Sequence, residues 1–598
     1  MNSSLRKTFL AIVSAGALVA ATFVPAAADE SQGDLIGGGN APAGWTIDPS
    51  AYGQLFGPLG DGAPQGTMVV DSGFRPYPHG FPVPNWGSPL DFVGNQLAFG
   101  GADRVTLQDL QAGTVEAPAP MNSLSLRRTF GNGVCRDPKS IDPQTGQCEL
   151  IFGAELLAQV VETTSLGGHC FGLAAAAAAL YNGQLPANQV GATGLGINAT
   201  NPMRQPATQT IERLFGTQLF NPAINEQATS DITPTQVVET LIRDLAGGTV
   251  PYILTVISAQ GGHGITPFAV LDRGEGIFDI AVYDNNFPMR ARAVTVDTNT
   301  DSFSYTSAIN PSAPGITWST DTESVLALVS VDATLAEQPC PVCLGPDQGT
   351  LLAFNSLSVE NADKLDIFLV DESGDQLSEE FWRVIAPLNP PTQERVSQPV
   401  IIVDPGVQFG LVVVTEELAS EQPLEIYAMS NGKAQYLLLD ELRSNSTSLF
   451  GVRGLNGTEF FSDAPSSPRI LQLSDQPGVS FDVNGHPLNL PANVEVKQRW
   501  NTETERVIYE SNAKRTLRWN VQIGGLDDSG GREYVGLNVR VPAGGRIVVD
   551  YTNASATVPP KAWMRDADGN REPITMQPVT EQLINEYRDE LYVSKGPG

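Results

Sequence analysis

Histidine and cysteine are scarce in this chain, four and five among 598 residues. A structural zinc site gathers about four such ligands at motif spacing, and His79, His169, His263 and His486 are scattered too widely to do so. Only His169 adjoins a cysteine, and neighbouring residues at a helix start point apart, so neither a metal nor another cofactor is expected. Positive charge is the second shortage. Lys and Arg number 35 against 66 Asp and Glu, a net charge of −31, and no basic run exceeds two residues. Nucleic acid binding rests on clustered basic side chains, which excludes a nucleic acid partner. Long apolar runs are also missing after the first 28 residues, which excludes a helical membrane span there.

What stands at the start is a short apolar stretch, Phe9 to Val24, behind Arg6 and Lys7 and ahead of "PAAAD". That order is expected of a cleavable secretory leader, residues 1–28, with cleavage after Ala28. The mature chain is then exported, and thiols in an oxidising compartment tend to pair. Cys135 and Cys148 flank the turn-rich "CRDPKSIDPQTGQC", and Cys340 and Cys343 form "CPVC". Both read as short disulfides. Cys170 is left without a partner, and an odd thiol in an exported protein is either a reactive group or a buried structural one.

The mature length, about 570 residues, suggests three or four domains. Residues 29–120 are rich in Gly and Pro and predict an irregular, propeptide-like segment with little helix. Helical and strand patterns mix over 121–336, and 337–350 is a linker holding "CPVC". Alternating patterns then dominate, read as a β-sandwich domain at 351–465 and a second β-rich domain at 466–598. "LEIYAMSNGKAQYLLL" (424–439) is two alternating runs around Asn431 and Gly432, a strong hairpin signal. "DADGNRE" (566–572) has its glycine too early for a calcium loop and reads as a turn. "VTEQLINEYRDELY" (579–592) predicts a terminal helix.

Cys170 sits in "SLGGHCFGLAAAAAALYNG", where two glycines precede it and six alanines follow. Alanine is the best helix former, so Cys170 opens a helix. Unpaired N–H groups and the helix dipole at that end favour a thiolate. "TPTQVVETLIRDLAGG" predicts a second helix with Thr233 as N-cap, Pro234 at the first position and Gln236 closing a capping box. Then "VPYILTVIS" reads as a strand, "AQGGHG" as a turn, "ITPFAVLDR" as a strand, "GEG" as a hairpin turn and "IFDIAVYD" as a strand. Antiparallel pairing juxtaposes His263, at the start of one strand, with Asp284 at the end of the next, or with Asn285. His79 and His486, flanked by prolines and turns, read as loop histidines, and His169 as incidental.

A cysteine opening a helix, a histidine entering a strand and an Asp or Asn after the next strand resembles the papain-like cysteine peptidase superfamily. "GGHCFGLA", "GGHGITPFAVLD" and "YDNNFP" are most similar to bacterial branches such as the double-glycine leader peptidases. The resemblance spans about 121–336. It implies an α+β papain-like domain, a central helix packed on an antiparallel sheet, followed by all-β sandwich domains. It implies Cys170 as nucleophile, His263 as base then acid, and Asp284, or Asn285 as alternate, as the group orienting the imidazole. The Cys170 N–H then serves the oxyanion. The family's glutamine, about six residues before the cysteine, is replaced by Thr164, and Gln159 is the nearest upstream alternate donor.

These readings converge on an exported cysteine peptidase whose partner is a peptide or protein substrate. Two other classes share the residues. A transglutaminase-like enzyme passes the acyl group to an amine, and a non-catalytic extracellular binding protein keeps a degenerate peptidase domain.

Overall fold

A computed structural model describes residues 62–87 and most of 121–583, the longer omissions being 192–204, 224–231, 344–348, 356–363, 386–399 and 527–531. The leader and nearly all of the helix expected at 579–592 lie outside the described residues. The chain forms two compact units, the first essentially residues 1–131 with 158–339 and the second 132–157 with 340–598. Residues 132–157 therefore belong with the β-rich C-terminal part, although sequence reading grouped them with 121–336. Three antiparallel sheets and few helices make the protein β-rich.

In the first unit, helices α1 (Ser123–Phe130), α2 (Phe152–Ser165, shared with the second unit), α3 (Cys170–Tyr181), α4 (Ala207–Thr217), α5 (Pro234–Leu245) and α6 (Val331–Leu335) accompany one eight-stranded sheet. Its strands are β1 (Thr67–Asp71), β2 (Tyr252–Ser258), β3 (Gly261–Gly274), β4 (Ile277–Tyr283), β5 (Ala291–Asp297), β6 (Ser302–Ser307), β7 (Ile316–Ser319) and β8 (Val325–Ser330). They run in the order β7-β6-β5-β4-β3-β2-β8, and β1 adds to the second half of β3. The Gly/Pro-rich N-terminal segment, read as irregular, thus supplies a strand. Helix α5 begins at the capping box of Thr233 and Gln236, and buries Val237, Leu241 and Leu245 with Val256, Ile265, Ile280 and Val294 of the sheet.

The glycine stretch "GGHG" was expected to be a turn and is strand instead, because Ser258 already pairs with Gly261. Packing explains the difference. A Cβ on Gly264 would lie 2.8 Å from the Cα of Phe171, so the sheet meets helix α3 through bare backbone. Every residue of α3 from Cys170 to Ala179 is buried, as expected of a helix apolar on all sides. Gly172 makes the matching approach to α4, where an added Cβ would stand 2.2 Å from the carbonyl oxygen of Ile211.

In the second unit, Cys135–Cys148 and Cys340–Cys343 are disulfides with Cα separations of 5.8 and 5.4 Å. Two sheets of nine and ten strands dominate. Hairpins alternate between them: 424–439 in the ten-stranded sheet, 447–462 in the nine-stranded, 468–488 in the ten, 494–511 in the nine, 517–541 in the ten and 546–565 in the nine. Both sheets therefore draw on both sides of residue 465, and the expected boundary between two β domains is absent. Asn431 (φ 47°) and Gly432 (φ 67°) turn the predicted hairpin, the left-handed pair of a type I′ loop. Residues 566–570 form the turn of another hairpin. The sheets face each other through a buried amide seam, in which Gln498 Nε2 donates to Gln472 Oε1 (3.0 Å) and Gln472 Nε2 to Thr458 Oγ1 (3.1 Å).

Replacing Gly172 with Ala forces α3 and α4 apart, and overpacking of this kind costs about 1–3 kcal/mol. The thermal midpoint of the first unit should fall accordingly. Gly247→Ala, whose Cβ would meet only ordinary contacts beyond 3.5 Å, should change stability by less than about 0.5 kcal/mol. Equal midpoints for the two variants, measured by scanning calorimetry, would contradict this packing account.

Candidate active site

Cys170 is the first residue of α3 and the free cysteine of the chain, 6% exposed. Its sulfur accepts a hydrogen bond from Gly264 N at 3.4 Å, so the close approach of helix and strand places it against β3. His263 lies one residue earlier on that strand. Its Nε2 stands 2.8 Å from Asp284 Oδ1, with both side chains fully buried. Its Nδ1 has no partner in hydrogen-bond alignment among the described residues, and it is the nitrogen left for the Cys170 sulfur, which acts on the ring. The structure brings Cys170, His263 and Asp284 together.

Burial opposes the charged form of His263, but the Asp284 carboxylate and then the Cys170 sulfur outweigh it, and the group is pushed up to about 10. On Asp284 burial acts upward, again against the charged form, and His263 overcomes it to hold the carboxyl at about 2. At neutral pH the pair is imidazolium and carboxylate. The carboxylate is also well supplied with donors. Asp284 Oδ2 accepts from Tyr305 Oη and from Ser307 Oγ (2.8 Å), and Oδ1 accepts from Asn286 N (2.8 Å). A carboxylate accepting several hydrogen bonds keeps its charge in a buried site. Trp318 lies nearly parallel to the His263 ring, interplanar angle 13°.

Asn285 does not orient the imidazole. Its Nδ2 donates to the carbonyl oxygens of Cys170 and Gly264, each at 2.9 Å, and so ties the helix start to the strand. Gln159 lies within α2, and its side chain is outside the described residues. His169, read as incidental, is hydrogen-bonded through Nδ1 and has a carboxylate beside Nε2, close but outside hydrogen-bond alignment. Nδ1 is 2.8 Å from the carbonyl oxygen of Trp86, and Nε2 is 2.6 Å from Glu212 Oε2. A carbonyl oxygen only accepts, so Nδ1 carries a proton. The ring also stacks on Trp86 at 4.7 Å between centroids. Asn85 Oδ1 accepts from His169 N (2.6 Å) while Asn85 N donates to the Asn285 carbonyl (2.8 Å). The "PNWG" stretch thus clamps the residues before Cys170, which explains Gly168: a Cβ there would lie 2.8 Å from Asn85 Nδ2.

The other two histidines are not loop residues. His79 is half-buried and its Nδ1 accepts from Arg75 N at 2.9 Å. His486 is 5% exposed inside strand 479–488, and burial and then Arg469 hold it down to about 4. Asn85, Trp86, Glu212, Tyr305, Ser307 and Trp318 were missed by sequence reading. No residue-type signal marks them, because each reaches the site from a distant segment.

No protein-family model, curated protein or solved structure matches this chain. Among the described residues no group of three His, Cys, Asp or Glu is placed to hold a metal ion, and no helix is long and apolar enough to cross a membrane.

The raised His263 contributes stability that is complete below its ordinary value of 6.5 and is lost as pH rises through about 10. The lowered Asp284 contributes above 3.8 and loses it as pH falls through about 2. With only four histidines, imidazole nitrogen NMR can follow each ring. His263 should stay protonated through pH 8 and titrate far above 6.5, and Asp284→Asn should bring that titration down by about 1–3 units. A His263 that deprotonates near 6.5 in both proteins would remove the pair from the account.

Proposed function

We propose that the first unit is an exported thiol hydrolase of peptide or amide bonds, of the papain-like α+β kind. The observation that carries the reading is the unpaired Cys170 at a helix start beside an imidazole whose far nitrogen is held by a buried carboxylate. Nucleophile, proton carrier and orienting group are what thiol catalysis requires. The two disulfides support residence in an oxidising compartment.

In the proposed cycle the Cys170 sulfur attacks the carbonyl carbon, and an S–C bond forms as the carbonyl π electrons move to oxygen. The Cys170 N–H, at the positive end of α3, donates to that oxyanion. The C–N bond then breaks as His263 Nδ1 gives its proton to the leaving amine. Water attacks the thioester, His263 takes its proton, and the S–C bond breaks to release the acid. Asp284 stays ionised throughout and fixes the ring.

Iodoacetamide at pH 7 should alkylate Cys170 at least about tenfold faster than free cysteine, whose thiolate is only a few per cent populated there. His263→Ala should remove the advantage. On a mixed peptide library read by mass spectrometry, cleavage should vanish in Cys170→Ala. Cleavage that persists unchanged would refute the mechanism, and transfer to an added primary amine without hydrolysis would identify the transglutaminase-like class instead.

A further inference from the structure

Helices α1 and α4 and the turn Ala187–Val190 enclose a pocket of about 170 Å³. Two guanidinium groups line it, Arg128 from α1 and Arg213 from α4, together with Ser125, Asn188, Gln189 and Gln209. Among the described residues no carboxylate lines it. Arg213 is only 6% exposed, no described carboxylate acts on it, and it borders the pocket space. Burial, and then the nearby charge of Arg128, push it down to about 10.

This arrangement runs against the character of the chain. Acidic residues outnumber basic ones by 66 to 35, so a carboxylate partner for a buried arginine is the commonest group available. A buried charge without a partner costs several kcal/mol. A guanidinium offers five donors in a planar fork matched to carboxylate and phosphate oxygens. The side-chain amides add neutral donors, and the first turn of α4 (Pro206, Gln209, Thr210) lies on the pocket wall, where a helix start favours negative charge. Thr210 itself is committed, its hydroxyl donating to the Gln189 carbonyl at 2.6 Å. Pockets for whole small-molecule ligands measure about 300–1,000 Å³. A pocket of about 170 Å³ takes an anionic group.

We propose that this pocket is a binding site for an oxyanion of carboxylate or phosphoryl type, held between Arg128 and Arg213. The inference does not depend on the chemistry of Cys170. Titration calorimetry of the full chain with inorganic phosphate and, separately, with acetate, against sodium chloride of equal ionic strength, tests it and distinguishes the two sources. Saturable binding of either anion is expected, weakened about tenfold or more in Arg213→Met, the loss of one charge-assisted contact. Arg128→Met, at an exposed position, should weaken it without disturbing the fold. In anion-free buffer Arg213→Met should melt at or above the parent temperature, since it removes a largely buried charge that lies beside Arg128 and has no described carboxylate partner. No saturable binding of either anion, or affinity unchanged in both variants, or a lower melting temperature for Arg213→Met in anion-free buffer, would overturn the proposal.

Discussion

The first unit depends on one close approach, that of helix α3 to strand β3. Ordinary side chains at both surfaces would hold the backbones of a helix and a sheet well apart. Here the strand offers Gly264 and the helix offers Gly172 and a run of alanines, and an added Cβ on Gly264 would fall 2.8 Å from the Phe171 backbone. That distance puts Cys170 Sγ within 3.4 Å of Gly264 N and next to the histidine one residue earlier. The same small residues that allow the approach leave the helix with no polar face, so it must be buried on every side. A buried helix start has unpaired N–H groups, and those make its first residue a site for negative charge.

Burial then sets the requirement for everything around Asp284. An ionised carboxylate away from water is costly unless it is paired and hydrogen-bonded, and this one receives His263, Tyr305, Ser307 and the Asn286 N–H. Burial and the adjacent carboxylate push Tyr305 far above its usual range, so it serves only as a donor. Asn285, next in sequence, points the other way and joins the carbonyls of Cys170 and Gly264. Successive residues of "DNN" thus divide the work: one orients the imidazole, and the next locks the helix to the strand.

Features with short-range causes were legible in the sequence. The capping box at Thr233, the hairpin at Asn431-Gly432, both disulfides and the juxtaposition of His263 with Asp284 follow from one turn, one short loop or one hairpin. What escaped was carried by contacts across long stretches. Asn85 and Trp86 reach His169 from more than 80 residues upstream, and Glu212 reaches it from the next helix. Periodicity says which face of an element is apolar. It does not say which distant polar group will meet a buried histidine, so His169 looked idle when Trp86, Asn85 and Glu212 all stand against it. "GGHG" shows the converse error, since glycine marks a turn or a close backbone approach with the same letter.

The second unit shows why length is a poor guide to domain count. About 250 residues of alternating pattern suggest two sandwiches when each is taken to close on itself. This chain instead deals successive hairpins to alternate sheets, so each new hairpin extends a sheet begun earlier and no point along the sequence completes a core. A growing sheet of like hairpins invites slippage, because a one-residue shift turns every side chain to the other face. Gln435, Gln472 and Gln498 stand at buried positions on three of the four hairpins between residues 424 and 511, and bond to one another or to the facing sheet. Apolar side chains tolerate a shifted partner. A buried amide left without its acceptor does not, and the seam therefore fixes register where hydrophobic packing alone would leave it loose.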